Sequence, residues 1–349
     1  METIKLTSFT KGAGCGCKMA PKELEKILQT NIVFPKNNAL IVGNNTKDDA
    51  AVYDLGNGKG LISTTDFFTP IVDDPFTFGK IAAANAISDV YAMGGKPLLA
   101  LAILAWPVQK IPIEMAQKVM EGAQAICLEA GISLAGGHSI DSEEPIFGLA
   151  VNGLIDLKNL KRNDTAKEGD LIYITKKIGV GILSTAEKRG ILKEKHKTVA
   201  AAQMTKLNKI GAQLAELNGV TAMTDITGFG LLGHLIEMAE GSNLCAEINY
   251  SNVPLIDGLS FYTSQMCVPD NTFRNWNGYE QKVAGISGEN LLTLCDPQTN
   301  GGLMISVNPV SKNEIEKLFL ENDLAEFITP IGSFKVFDET QKRIQLIEK

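Results

Sequence analysis

In the first half of the chain, the spacing of apolar residues changes repeatedly between two periods. Apolar residues at every second position predict strands, whereas apolar residues three and four positions apart predict helices. Glycines on both sides of Asn57 predict a hairpin turn between the first two strands. In chain order the pattern predicts a short helix after Pro21, strands at 50–55 and 61–68, a helix at 76–93, a strand at 98–105, a helix at 113–130, and strands at 132–135 and 146–155.

The second half begins after a charged stretch, from Asp156 to Asp170, that has no apolar period and is interpreted as an interdomain linker. Strands and helices alternate again beyond it, which indicates an α/β or α+β layer architecture. The pattern predicts helices at 181–189 and 198–217, a strand at 220–224, a helix at 231–239, strands at 245–248 and 303–307, a helix at 311–321, and further segments at 327–331 and 343–347. We therefore expect an N-terminal loop (1–18), an N-terminal domain (19–156), a linker (157–170) and a C-terminal domain (171–349).

Composition excludes several classes of protein. The 349 residues, 44% hydrophobic and 21% charged, suit a globular protein with two domains. A net charge of -7 argues against a general nucleic-acid binder. The N-terminus lacks the apolar core of a signal peptide, and the most apolar stretch, 97–108, is too short to cross a bilayer. Six cysteines are too few for a disulfide framework. We expect a cytoplasmic protein without nucleic-acid or membrane partners.

A glycine-rich segment at 12–18 is the first candidate for chemistry. Its alternating glycines allow the backbone to approach a ligand closely. Cys15 is a candidate nucleophile, because a nearby positive charge such as that of Lys18 lowers the pKa of a thiol. The local pattern equally allows an inert tail. A zinc site is disfavoured, because Cys15 and Cys17 form the only close pair of cysteines and the chain has three histidines.

Aspartates at the predicted ends of strands and helices form a second candidate site. Asn85 and Asp89 share one face of a helix that is otherwise rich in alanine and isoleucine. A single aspartate in such a place is ordinarily a cap, but several set between apolar segments favour magnesium, which shares its ligand shell with phosphate oxygens. The aspartates are Asp48, Asp49, Asp66, Asp89 and Asp225.

Electrostatics constrains what this acidic set can bind. Two like charges 4 Å apart repel by about 4 kcal/mol at an effective dielectric constant of 20. The carboxylates can therefore hold a triphosphate only with cations between them, and Lys18 and Lys47 are candidates to supplement the metal. Glycine turns at 136–139 and 296–302 could cradle phosphate or be simple tight turns. No Walker A sequence occurs, which excludes a P-loop kinase.

Taken in order, these segments resemble the selenophosphate synthetase (selenide, water dikinase) family along nearly the whole chain. The segments that carry the resemblance are 12–18, 46–52, 63–68, 85–97, 136–141, 145–151, 224–234 and 295–302. The resemblance implies a two-domain α/β (α+β) fold like that of aminoimidazole ribonucleotide synthetase. In that fold the N-terminal sheets of a homodimer pair into a barrel, and the C-terminal domain is an α/β sandwich. The implied reaction is magnesium-dependent: ATP, selenide and water give selenophosphate, orthophosphate and AMP.

The resemblance also implies roles for individual positions. Cys15 and Lys18 match catalytic residues, and Asn300 stands where the family usually has serine. The segment 137–139 would reach ATP across the dimer. Nucleotide-binding positions match Lys18, Thr46, Lys47, Asp48, Asp66, Asp89, Gly137, His138 and Ser139, and metal-binding positions match Asp49, Asp89 and Asp225. A potassium requirement, a selenide-delivering protein and the exact part played by Cys15 are left open.

Two alternatives remain from the sequence. One is another ATP-dependent enzyme of the same superfamily, similar to thiamine-monophosphate kinase, which would leave ADP and would not need Cys15. The other is a non-catalytic selenium or metal carrier that uses Cys15 and Cys17. Such a carrier would bind an ion without turning over ATP.

Overall fold

The computed structural model describes residues 4–10, 14, 26–29, 35–43 and 48–347 of the chain. Of the helix expected after Pro21, residues 26–28 are helical, and its beginning lies outside the described residues. Within the described ranges, no helix is both long enough and apolar enough to cross a membrane.

Six strands form the first sheet, in the spatial order β1-β2-β3-β6-β4-β5. Neighbouring strands are antiparallel, except that β4 and β5 are parallel. The hairpin predicted around Asn57 joins β2 to β3, and Asn57 takes the positive φ of 53° that such a turn needs. The strands are β1 (Leu40–Val42), β2 (Ala51–Gly56), β3 (Lys59–Phe68), β4 (Lys96–Trp106), β5 (Ser133–Asp141) and β6 (Ile146–Asp156).

Two helices, α1 (Pro75–Ala92) and α2 (Ile113–Ala130), cover one face of this sheet. The α1 helix begins where its sequence predicts, because Pro75 suits the first turn and the Asp74 side chain accepts a 2.8 Å hydrogen bond from the Thr77 amide. The two helices lie unusually close together. A Cβ atom on Gly122 would lie 2.0 Å from the Phe76 carbonyl oxygen, so only glycine fits at that position.

The opposite face of the first sheet is apolar and exposed. Its alternate positions, which point away from α1 and α2, carry large hydrophobic side chains. These residues, named the open face below, are Leu40, Tyr53, Phe67, Leu101, Ile140 and Leu154. Large apolar side chains gathered on one exposed face of a sheet are typical of an interaction site.

Seven strands form the second sheet, in the spatial order β10-β13-β9-β12-β7-β11-β8. The pairs β10–β13 and β13–β9 are parallel and the other pairs are antiparallel. The strands are β7 (Leu171–Ile174), β8 (Val220–Asp225), β9 (Leu244–Asn249), β10 (Val283–Ala284), β11 (Leu303–Val307), β12 (Gly332–Val336) and β13 (Ile344–Ile347).

Eight shorter helices accompany the second sheet. They are α3 (Val180–Lys188), α4 (Val199–Thr205), α5 (Ile210–Leu214), α6 (Gly230–Gly241), α7 (Ser260–Thr263), α8 (Asp270–Tyr279), α9 (Gly288–Leu294) and α10 (Lys312–Glu321). Every residue of α1 from Ile81 onward is buried, because the helix packs on the first sheet and also contacts α4, α5 and β8. One hydrophobic core consequently continues from α1 into α3 and α4.

Two local predictions were wrong. The strand expected at 132–135 runs on to Asp141, so the glycine turn expected at 136–139 is part of an extended edge strand paired with β4. The helix expected at 198–217 is two short helices, α4 and α5, separated at Lys206–Lys209. The segment at 327–331, for which no element type was predicted, directly precedes β12.

A candidate active site between the two sheets

The candidate site lies where α1 meets the ends of β3 and β8. Three polar side chains of α1, those of Asn85, Ser88 and Asp89, lie in the part of the helix from Ile81 onward, which is otherwise apolar and buried. Buried polar groups require hydrogen-bond partners. The partners of these three side chains come from both sheets, and they identify the groups that the fold gathers here.

Ser88 connects α1 to the second sheet. Its hydroxyl donates a 2.6 Å hydrogen bond to Oδ2 of Asp225, the last residue of β8. Asn208, between α4 and α5, donates in turn to the Ser88 hydroxyl (2.8 Å) and to the Gly301 carbonyl oxygen (2.9 Å). The Asp225 carboxylate is thus held in one orientation by α1 and not by its own strand alone.

Asp89 and Asp66 are held on the side of the first sheet. The Thr64 hydroxyl donates a 2.5 Å hydrogen bond to Oδ2 of Asp89, and the Asn85 amide donates a 2.5 Å hydrogen bond to Oδ2 of Asp66. The side-chain Oδ1 of Asn85 accepts a 2.6 Å hydrogen bond from the main-chain N–H of Asn300. A single α1 side chain therefore joins β3 to the turn that precedes β11.

Asp49 lies among these carboxylates. The Thr224 hydroxyl donates a 2.8 Å hydrogen bond to its Oδ1, whereas its buried Oδ2 has no hydrogen-bond partner among the described residues. Burial raises the pKa of Asp49 well above its ordinary value, and the negative charges of Asp225, Asp48 and Asp89 raise it further. This mutual repulsion shows that the fold holds four carboxyl groups within electrostatic reach of one another.

Asp48 is oriented toward the segment that follows the first sheet. Its Oδ1 accepts hydrogen bonds from the amides of Asp49 (3.2 Å) and Asn163 (3.3 Å). Burial raises the pKa of Asp48 to about 7, with a smaller contribution from the charge of Asp164. Its buried Oδ2 has no hydrogen-bond partner within the described part of the chain.

Lys176 is a buried cation near the site that sequence reasoning did not single out. Its ammonium group donates to the carbonyl oxygens of Lys206 (2.7 Å) and Asn300 (2.8 Å). Burial lowers its pKa to about 7, although the negative charge of Asp225 acts in the opposite direction. The lysine also fixes the turn around Asn300, a residue with a positive φ of 46°.

The donor set fits a magnesium ion that arrives with its nucleotide. Among the residues that the structure describes, no three His, Cys, Asp or Glu side chains are arranged to hold an ion by themselves. Magnesium, however, is commonly bound by one or two carboxylates together with phosphate oxygens and water. The buried oxygens of Asp48 and Asp49 that lack a partner, and the raised pKa values of both residues, are what a carboxylate site shows before its cation binds.

The remaining predicted residues lie elsewhere or outside the described residues. Gly137, His138 and Ser139 are exposed on the edge strand β5, and two strands separate β5 from β3, which carries Asp66. At about 4.8 Å per strand, this separation is roughly 14 Å. Cys15, Cys17, Lys18, Thr46 and Lys47 lie outside the described residues.

Sequence reasoning missed the residues that orient the carboxylates. Ser88 had a usable signal, because it lies three positions after Asn85 and one before Asp89 on a helix rich in alanine. No sequence signal indicated Asn208 or Lys176, because each acts through a contact with a segment that is distant in the sequence.

Comparisons with known proteins agree with this architecture. Residues 47–155 match the N-terminal domain of the AIR synthase related proteins, and residues 167–336 match their C-terminal domain. The chain is 53% identical over 341 residues to the selenide, water dikinase of Aeromonas salmonicida, with 98% of each chain covered. It is 56% identical over 332 residues to that of Colwellia psychrerythraea, covering 95% of this chain and 96% of the relative.

Solved structures share the fold at much lower identity. The thiamine-monophosphate kinase of Stenotrophomonas maltophilia gives a TM-score of 0.65 at 17% identity, covering 89% of this chain and 92% of the other. The structure of the hydrogenase maturation protein HypE in complex with ATP gives a TM-score of 0.66 at 19% identity, covering 90% of this chain and 87% of the other. The expected two-domain fold is confirmed.

Proposed function

This chain belongs to the selenide, water dikinase family of AIR synthase related proteins, and we propose on that basis that it makes selenophosphate from ATP and selenide. A dikinase of this kind has two phosphoryl acceptors. Selenide takes the γ-phosphoryl group, and water then takes the β-phosphoryl group of the remaining ADP. The products are selenophosphate, orthophosphate and AMP.

The observation that carries the proposal is the convergence of four carboxylates from separate segments of the chain. Asp49, Asp66, Asp89 and Asp225 come from the segment before β2, from β3, from α1 and from β8. Asn85 and Ser88 of α1 donate hydrogen bonds to Asp66 and Asp225, and Thr64 of β3 donates one to Asp89. Such a site repels a bare triphosphate. We assign Asp49, Asp89 and Asp225 to magnesium and Asp48, Asp66 and Asp89 to the magnesium-bound nucleotide.

Bound magnesium would supply the positive charge that brings an anionic phosphoryl group and an anionic nucleophile together. The residues of the chain fix the geometry. Asn85 and Thr64 orient Asp66 and Asp89, and Ser88 orients Asp225, so the carboxylates need little rearrangement when the substrate binds. Any potassium requirement would be additional to this site.

The N-terminal glycine-rich loop completes the proposed site. We assign Cys15 and Lys18 catalytic roles and Lys18, Thr46 and Lys47 contacts with the nucleotide. The described residue Gly14 supports the placement, because its amide donates a 3.1 Å hydrogen bond to the Thr69 carbonyl oxygen, one residue beyond the end of β3. Closure of the segment that follows Gly14 over the phosphoryl groups would exclude water during the first transfer.

We propose that the protein acts as a homodimer. The open face supports this, because it exposes six large apolar side chains on one side of a sheet whose other side is covered by helices. Joining two such faces would bury them and close a barrel. Gly137, His138 and Ser139 on β5 would then contact the nucleotide of the partner subunit, which explains their distance from Asp66 within one chain.

Location and domain division are also proposals. Cys127, Cys245, Cys267 and Cys295 are buried free thiols, as expected in a reducing cytoplasm. The division into a loop (1–18), an ATP-binding domain (19–156), a linker (157–170) and a C-terminal domain (171–349) is supported by the two sheets, whose strands fall within 40–156 and 171–347. The source of selenide would be a separate delivering protein.

Phosphorus NMR tests the reaction directly. The protein is incubated with ATP, magnesium and selenide, and we expect one AMP, one orthophosphate and one species with a phosphorus–selenium bond for each ATP consumed. Accumulation of ADP, or the absence of the phosphorus–selenium species, would reject the proposal. Full activity of a Cys15→Ser variant would favour another ATP-dependent enzyme of the superfamily, and tight ion binding without ATP turnover would favour a carrier.

A further inference from the structure

A cavity of about 380 Å³ lies outside the carboxylate site. One wall is a face of α3, formed by Gly181, Ser184, Thr185 and Lys188 at the helical spacing of three and four. The opposite wall is the first turn of α8 with Arg274, and the floor is the turn that contains Pro297 and Thr299. This volume is within the range of small-ligand sites.

The cavity is cationic although the whole chain is acidic. Among the described lining residues, Lys188, Arg189 and Arg274 stand against a single carboxylate, Asp270. Neither Lys188 nor Arg274 forms a salt bridge within the part of the chain that the structure describes. A local excess of positive charge in a protein with a net charge of -7 indicates an anionic ligand.

The main-chain amides at the start of α3 do not contribute to anion binding, because they already donate hydrogen bonds within the protein. The Gly181 amide donates to Oδ2 of Asp296 (3.0 Å), and the Gly179 and Val180 amides donate to the Gln298 side chain (3.3 and 3.4 Å). The cavity must therefore attract anions through its side chains. One polar atom in the wall is unused, because the buried Ser184 hydroxyl has no hydrogen-bond partner among the described residues.

Two residues that line the cavity also lie close to Gly14. A Cβ atom on Gly14 would lie 2.5 Å from Cδ1 of Ile71 and 2.7 Å from Oγ1 of Thr299, and both of these residues line the cavity. Gly14 directly precedes Cys15 in the sequence. An anion in the cavity would therefore lie near Gly14.

We propose that this cavity is a second anion site, which binds a tetrahedral phosphate-class anion. Guanidinium groups match phosphate oxygens through paired hydrogen bonds, and the Ser184 hydroxyl adds a donor, whereas the Thr185 hydroxyl already donates to the Gly181 carbonyl oxygen (2.9 Å). The described lining contains no aromatic ring on which a nucleotide base could stack, so a nucleotide is not the expected ligand. The identity of the occupant as orthophosphate or selenophosphate rests on the proposed function, but the existence of the site does not.

Isothermal titration of the nucleotide-free, magnesium-free protein with inorganic phosphate tests the site. We expect saturable binding of one phosphate, and about tenfold weaker binding in Lys188→Gln and in Arg274→Gln, because each loses a hydrogen bond to a charged group. Both side chains are exposed, so the variants are expected to fold. The matched control is Lys317→Gln on α10, which removes the same charge from an exposed side chain and should bind phosphate like the wild type.

A second titration uses thiophosphate, in which sulfur replaces the selenium of selenophosphate. Tighter binding of thiophosphate than of phosphate would assign the site to the selenium product, and equal or weaker binding would assign it to orthophosphate. Absence of binding, or equal weakening in Lys188→Gln and Lys317→Gln, would overturn the proposal. Because no ATP or selenide is present, these outcomes are independent of whether the protein makes selenophosphate.

Discussion

The Ser88 hydroxyl donates a 2.6 Å hydrogen bond to the Asp225 carboxylate, although the two residues are 137 positions apart in the sequence. The bond crosses from the helix that covers the first sheet to the last residue of a strand in the second sheet. Each half of the chain therefore contributes part of the carboxylate site, and a change at the contact should affect both stability and binding.

Ser88→Ala removes this contact and leaves the buried Asp225 carboxylate and the Asn208 amide short of a partner. We expect the free energy of unfolding to fall by about 1–3 kcal/mol, measured by urea denaturation. Ser264→Ala is the control, because that exposed hydroxyl bonds only to the nearby Phe261 carbonyl oxygen. Equal stability of the two variants would contradict a structural role for the Ser88 contact.

Gly122→Ala and Gly278→Ala should change stability in opposite directions. A methyl group at 122 would strike the Phe76 carbonyl oxygen and force α1 and α2 apart, at a cost of about 1–3 kcal/mol. A methyl group at 278 meets no atom within 4 Å, and alanine is the better helix former by up to about 1 kcal/mol. Urea denaturation of both variants measures the contrast, and destabilisation of equal size in both would reject the close helix approach.

Asp296→Asn should flatten part of the dependence of stability on pH. Burial raises the pKa of Asp296 from its ordinary 3.8 to about 8, so the folded state holds a proton that the unfolded state has already released. The contribution of this group is therefore full below about pH 4 and is lost as the pH rises toward 8. Asparagine does not titrate. Urea denaturation between pH 5 and 8 should give a shallower decline in the variant, and parallel curves would contradict the prediction.

Asp49→Asn should abolish the stabilisation that a magnesium-bound ATP analogue gives to the wild type. A ligand present at 100 times its Kd stabilises the folded state by about 2.7 kcal/mol. Without metal the variant should be at least as stable as the wild type, because it removes a charge that Asp225, Asp48 and Asp89 repel. Thermal denaturation with and without EDTA measures both effects. Asp257→Asn, at an exposed position, should retain the ligand effect.

Leu101→Lys should convert the proposed dimer into a monomer. A charge at the middle of the open face would have to be buried without a partner in the dimer, which is strongly unfavourable. Sedimentation equilibrium should give twice the 37.5 kDa chain mass for the wild type and one chain mass for the variant. Leu320→Lys on the exposed side of α10 should leave the mass of the wild type unchanged. A monomeric wild type would reject the dimer.

Periodicity could predict α1, α2 and the long strands of the first sheet, because their apolar patterns are local and continuous. It could not predict the full length of β5, whose residues 136–141 include two glycines and polar side chains and become a strand by pairing with β4. Periodicity could not predict the break between α4 and α5 either, because a long-range contact accompanies it. The Asn300 side chain donates to the Lys206 carbonyl oxygen there, across 94 positions of sequence.

The carboxylates of the site could be predicted because aspartate between apolar segments is conspicuous. The groups that orient them could not, because serine, asparagine and lysine occur throughout the chain and only the folded contacts distinguish Ser88, Asn208 and Lys176. The cationic cavity was also invisible, since Lys188 and Arg274 are 86 positions apart and meet only through the packing of α3 near α8.

The burial of α1 on every side from Ile81 onward has a consequence for how this protein can evolve. Its side chains fill one continuous core that also includes Val180, Leu183 and Met204 from the other half of the chain. Recombination that replaced either half with that of a distant homologue would pack α1 against core side chains that did not evolve with it. The two halves are therefore expected to diverge in step, with substitutions on α1 accompanied by compensating substitutions in the helices that cover it.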